Sequence, residues 1–214
     1  DELYQKWQSV SAEDFFSTAD PYNQSLFYPY ADSSDTSFLG LEDSLSGKLI
    51  PQLDAVARMI QLGKTDYGFK RQIFFVLHGG FDTHGSQTDV HPVLLRELSL
   101  GLWKFQKALE ELGLENNVTT FTMSDFGRTM SNNGDGTDHA WGGHHIVMGG
   151  DGNNTSGNLN GGQLLGTVPN VTLGGNDDYS DKGRIIPTTS QDQLNATICQ
   201  WFGVPTTDIE TTLF

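Results

Sequence analysis

Gln72-Ile-Phe-Phe-Val-Leu77-His78-Gly79-Gly80-Phe-Asp82-Thr-His84 is the stretch on which the fold turns. An unbroken apolar run, too short for a helix, stops at a Gly-Gly turn. That pattern predicts a strand buried on both faces, as in a parallel sheet. Downstream, Leu94, Leu95, Leu98, Leu102, Phe105, Leu109 and Leu112 recur at helical spacing. They predict a helix over 90–112, with Pro92 in its first turn and Gly113 as its stop. Val118–Met123 then reads as a second strand, ending at Ser124-Asp125. Upstream, Leu45, Leu49, Leu53, Val56, Met59 and Ile60 predict a helix over 44–62 that Gly63 ends. Strand, helix and strand in this order give a βαβ unit, hence an α/β fold with a mostly parallel sheet.

Further out the pattern weakens. His144–Met148 reads as a third short strand, and 149–178 as a long Gly- and Asn-rich loop with one strand at 163–165. Ser190 with Gln193 forms a capping box for a last helix. Leu194, Ile198, Trp201 and Phe202 are its packing face, and Gly203 is its end. Residues 1–43 read as an irregular segment whose aromatics anchor it on a domain spanning 44–214. The single cysteine, Cys199, sits in an apolar-periodic segment and reads as a buried, inert thiol.

Composition narrows the partners. The chain has 214 residues, 12 of them Lys or Arg, and a net charge of −15. Phosphate-backbone binding needs clustered cations, so nucleic acid is excluded as a partner. No apolar run approaches the roughly 18 residues of a membrane span. The chain opens at Asp1 without Met and without a visible signal peptide, and is expected to be a processed or excised piece. Oligomeric state is not encoded in any pattern here.

All six histidines fall between His78 and His145, interleaved with aspartates and glycines. Ligands in open parallel sheets bind beyond the carboxyl ends of strands. Asp82 and His84 follow the first predicted strand, and Asp125 follows the second. Asp138, His139, His144 and His145 follow in a glycine-rich loop. Imidazole with carboxylate suits Zn, Mn or Fe, and an all-oxygen site suits Mg or Ca. Arg128 is a candidate clamp for a phosphate, sulfate or carboxylate. Structural roles compete with each of these. Asp125 could cap a helix, His91 could belong to a helix start, His78 could pack under the Gly-Gly turn, and Asp135 could be a turn residue. His144 and His145 would point to opposite faces of a strand. A structural Ca site in the loops 132–138 or 151–178 is a further alternative.

Three motifs in order carry a resemblance over about residues 45–214: Gly80-Phe-Asp82-Thr-His84-Gly-Ser-Gln87, Ser124-Asp-Phe-Gly-Arg-Thr129, and Gly136-Thr-Asp-His-Ala-Trp-Gly-Gly-His-His145 followed by Val147-Met-Gly149. They resemble the bacterial domain-of-unknown-function 1501 family, which is related to the alkaline phosphatase-like superfamily of metal-dependent phosphatases and sulfatases. The resemblance implies a three-layer α/β/α domain, here its C-terminal part, exported to the periplasm or beyond. It implies a divalent metal (Zn, Mn, Mg or Ca) and a small anionic ester as substrate. Asp82 and His84 look like the first ligand set, Asp125 like the aspartate of a later Asp-His pair, and one of His139, His144 or His145 like the last histidine. Two departures stand out. The histidine of the pair is replaced by Phe126, and residues 1–60 contain no counterpart of the superfamily's nucleophile. The implied activity is hydrolysis of a phosphate or sulfate ester, with Asp125 and Arg128 at the reacting group. The alternative is an exported binding or structural protein that keeps the fold without the chemistry.

Overall fold

A computed structural model describes residues 49–150 and 159–213. The expectations for 1–43, for the start of the first helix and for the loop at 151–158 lie outside those residues. The chain packs as two compact units. Of the described residues, the first holds 49–120, 148–150 and 159–161, and the second holds 121–147 and 162–213.

The first unit is built on two helices, α1 (Leu49–Thr65) and α2 (Gln87–Glu111). Leu49, Leu53, Ala57 and Ile60 of α1 meet Phe105, Ala108 and Leu109 of α2, with Leu114 closing the cluster. Gly101 permits this closeness: a Cβ there would meet the Leu53 and Leu49 side chains at 3.0 and 3.2 Å. Buried Glu97 of α2 accepts the Leu49 amide of α1 at 3.2 Å, a hydrogen bond that ties the two helices together.

Both helices depart from the expected limits. Gly63 does not end α1, which continues to Thr65. Its lack of a side chain instead makes room for Gln72, whose amide would lie 2.4 Å from an added Cβ. Helix α2 begins at Gln87, so Pro92 lies inside it rather than in its first turn. Ser86 starts it from a left-handed conformation, φ 51°, and accepts the amides of Asp89 and Val90.

The run at 72–77 is extended but joins no ladder among the described residues. Phe74 and Val76 pack on the helical core, while Ile73, Phe75 and Leu77 are 81%, 87% and 66% exposed. One face is therefore buried, not two. Gln52 holds the end of the run, exchanging hydrogen bonds with Leu77 N–H and C=O at 3.1 and 2.9 Å.

Strands are short. β1 (Thr120–Phe121) pairs with β4 (Val147–Met148), each a remnant of the longer strand expected there. β2 (Gly127–Asn132) and β3 (Thr137–Ala140) form an antiparallel hairpin in the second unit. The described residues thus form a mixed α/β protein with helices and two small sheets, and the anticipated parallel sheet is not among them. Residues 163–165 form no strand, and Leu164 and Leu165 are 90% and 72% exposed.

Helix α3 (Gln191–Phe202) starts as anticipated. Ser190 Oγ accepts Gln193 N–H at 3.1 Å, Gln193 Oε1 accepts Ser190 N–H at 2.9 Å, and Gly203 at φ 96° ends it. Its expected packing face is only half-buried: no residue of the helix is fully covered, and Cys199 is a free, half-buried thiol. A short α4 (Thr206–Leu213) follows and inserts Ile209. Among the described residues no helix is long and apolar enough to cross a membrane.

Candidate functional site

In the first unit the chain leaves the extended run through Gly79 and Gly80, the latter at φ 95° against the Leu94 side chain. His78 and His91 are used structurally here. His78 Nε2 lies 3.1 Å from Leu94 O, and both rings stand edge-on to Phe81, at 5.0 and 5.8 Å between centroids. Phe81 thereby anchors the loop onto α2, and buried Thr83 fixes the next turn. Between those anchors Asp82 and His84 point outward. Asp82 Oδ1 and His84 Nε2 are 3.0 Å apart and both side chains are about half exposed. An alternating anchor-donor-anchor-donor pattern, Phe81-Asp82-Thr83-His84, produces this pair.

The second unit positions the rest on its hairpin. Arg128 is the register partner of His139. Cross-strand partners share a face, and so does each residue two positions away. Phe126 therefore joins that face, where it stacks on His139 at 4.1 Å and 6°, with the Arg128 guanidinium 5.5 Å from its ring centroid. Arg128 is oriented by Thr137: its Nε donates to Thr137 Oγ1 at 2.9 Å and its Nη2 to Thr137 O. Asp138 turns to the opposite face. Its amide donates to Thr129 Oγ1 and its Oδ1 accepts Asn133 Nδ2, both at 3.0 Å. Asp125 is exposed just before β2.

His144 and His145 lie beyond the hairpin, both exposed. His145 Nδ1 is 3.4 Å from Thr122 Oγ1, which also accepts the Ile146 amide at 2.9 Å. Partial loss of hydration, and then the neighbouring His144 charge, hold the His145 imidazole below its ordinary value.

The loop 132–138 turns its oxygens inward. Asn132 Oδ1 accepts the Gly134 amide, and Asn133 Oδ1 accepts those of Asp135 and Gly136. Asp178 does the same on a larger scale in the loop 170–186. Its buried carboxylate accepts the amides of Gly174, Ser180, Gly183 and Arg184 at 2.8–3.1 Å. Burial alone would raise its pKa, but the four donors prevail and hold it below the usual carboxylate range.

Sequence reasoning missed the hairpin and, with it, the stack of Phe126 on His139 and the role of Thr137. The signal was present in Asn133-Gly134, a strong turn dipeptide between two short strands.

Fold and motifs define a mixed α/β protein with aspartate- and histidine-bearing loops on two compact units. Residues 58–211 match the family described as "Protein of unknown function (DUF1501)", and the chain belongs to that family. No curated protein and no solved structure matches the chain.

Proposed function

We propose that the protein is a metal-dependent hydrolase of phosphate or sulfate esters, exported to the periplasm or secreted, and built as part of a three-layer alkaline phosphatase-like domain. The observation that carries the reading is the Asp82–His84 pair. Two donors bound to one zinc ion at about 2.0–2.1 Å in a tetrahedral shell lie about 3.3 Å apart. The observed separation is 3.0 Å between an exposed carboxylate and an exposed imidazole, on a loop whose other side chains are anchored. One oxygen and one nitrogen donor favour Zn or Mn over Mg or Ca.

When bound, such an ion polarises an ester oxygen and lowers the pKa of a bound water to about 7. The chain's own residues have narrower tasks. Asp82 and His84 hold the ion. The resemblance likens Asp125 to the aspartate of a later Asp-His pair and one of His139, His144 or His145 to the last histidine, and Asp138 is a further candidate donor. The Arg128 guanidinium, set by Thr137, offers positive charge to an anionic ester. To Asp125 we assign proton exchange with the reacting group.

Elemental analysis of purified protein, paired with cleavage of 4-nitrophenyl phosphate and 4-nitrophenyl sulfate before and after chelation, tests the reading. A bound transition metal and chelation-sensitive cleavage of one ester are expected. Asp82→Ala and His84→Ala should each lower metal affinity by at least about tenfold, the scale on which even supporting residues act. Folded protein that takes up no metal and cleaves neither ester overturns the proposal. That result favours the second reading, an exported binding protein without catalysis, which rests on Phe126 stacking on His139 where the superfamily has a ligand.

A further inference from the structure

Trp141 and Tyr179 are large rings left in the open, 56% and 66% exposed. They contact each other at 4.7 Å between centroids and are tilted by 46°. Neither the Trp141 indole N–H nor the Tyr179 hydroxyl has a hydrogen-bond partner among the described residues. Exposed rings on a mobile loop would need no explanation, but these are fixed. Gly142 N–H donates to Ile185 O at 3.0 Å, and Tyr179 N–H donates to Arg184 O at 3.1 Å. Asp178 bridges to Ile185, and its carboxylate gathers the four amides that surround Tyr179 in sequence. The backbone under both rings is therefore held before any ligand arrives, which lowers the ordering cost of binding.

We infer that Trp141 and Tyr179 form a stacking platform for a neutral sugar ring. A pyranose has an apolar face of weakly positive C–H groups, which suits the electron-rich faces of aromatic rings. Its edges carry hydroxyls, which suit the open indole N–H and phenol. The net charge of −15 discourages a polyanion.

Trp141 directly follows buried Ala140, the last residue of β3, and exposed His139 precedes it. Arg184 ties the parts together, its Nε donating to His139 O at 3.1 Å. Binding on the platform requires neither a metal nor hydrolysis.

The test is direct binding of cellotetraose, maltotetraose and xylotetraose to the full chain, by calorimetry and tryptophan fluorescence, with 2-naphthol as a flat aromatic comparison. At least one tetrasaccharide should bind with a Kd below about 10 mM. Trp141→Ala should weaken that binding at least about tenfold, as for a central aromatic anchor. Tyr179→Ala should weaken it severalfold, and Tyr179→Phe should largely retain the stacking. Near-UV circular dichroism establishes that each variant folds, and Trp141→Phe replaces Trp141→Ala if the latter does not. No tetrasaccharide binding at about 10 mM overturns the inference, as does equal binding by folded Trp141 and Tyr179 variants or tighter binding of 2-naphthol.

Discussion

One carboxylate, Asp178, decides the shape of a loop that contains no regular structure. Four amides converge on it, so both of its oxygens are spent on backbone. Asp178→Asn keeps the size but turns an NH₂ group toward amide donors. It is expected to be as harmful as Asp178→Ala, leaving buried N–H groups without acceptors. Both should lower the melting temperature and speed hydrogen exchange at Gly183 and Arg184. The pH dependence follows from the same contacts. The folded pKa lies below the unfolded one, so the stabilisation is complete above about pH 4 and is lost as pH falls through the folded value. Thermal melts between about pH 5 and pH 2 should show that loss in the parent and a weaker one in Asp178→Ala. None of this was legible in the sequence. Asn176-Asp177-Asp178 reads as turn material, and nothing in it distinguishes the half-buried Asp177 from its buried neighbour.

Elements were legible where periodicity was long. The leucine stripe of α2 located the helix, though it missed the start, because Gln87-Thr-Asp-Val lacks apolar spacing and relies on Ser86 in a left-handed turn. The stripe also located the core. Leu109 is 1% exposed against α1, so Leu109→Ala should cost about 2–5 kcal/mol, measured by urea unfolding. The run at 72–77 was legible as extended but not as one-sided. Alternation of burial is invisible when every residue is apolar, since Ile73 and Phe74 carry the same signal. The β2–β3 hairpin was hidden for the opposite reason. Its strands carry Arg, Thr, Ser, Asp and His, so the apolar pattern by which strands are sought is missing.

At the scale of the whole molecule, charge is the readable property. With 27 acidic and 12 basic residues, self-repulsion opposes the folded state. Added sodium chloride screens it, so the melting temperature should rise between about 0.01 and 0.15 M salt, where the Debye length falls from about 30 to 8 Å. A differential scanning series at fixed pH measures this, and a flat or falling curve would contradict it. The histidine clustering was also legible at this scale, but the division of labour was not. His78 and His91 flank Phe81 and serve packing, whereas His84, His139, His144 and His145 are exposed. Spacing along the chain does not reveal which imidazoles a fold consumes.

The one-sided run at 72–77 has a consequence for handling the protein. Proteases grip substrates as extended strands, through backbone groups that no ladder has claimed and a side chain free to enter a pocket. Phe75 offers an exposed aromatic ring on such a backbone. Chymotrypsin-type enzymes would therefore cut after Phe75, separating α1 from α2 in sequence while the core of Leu53, Phe105 and Leu109 still holds the fragments together.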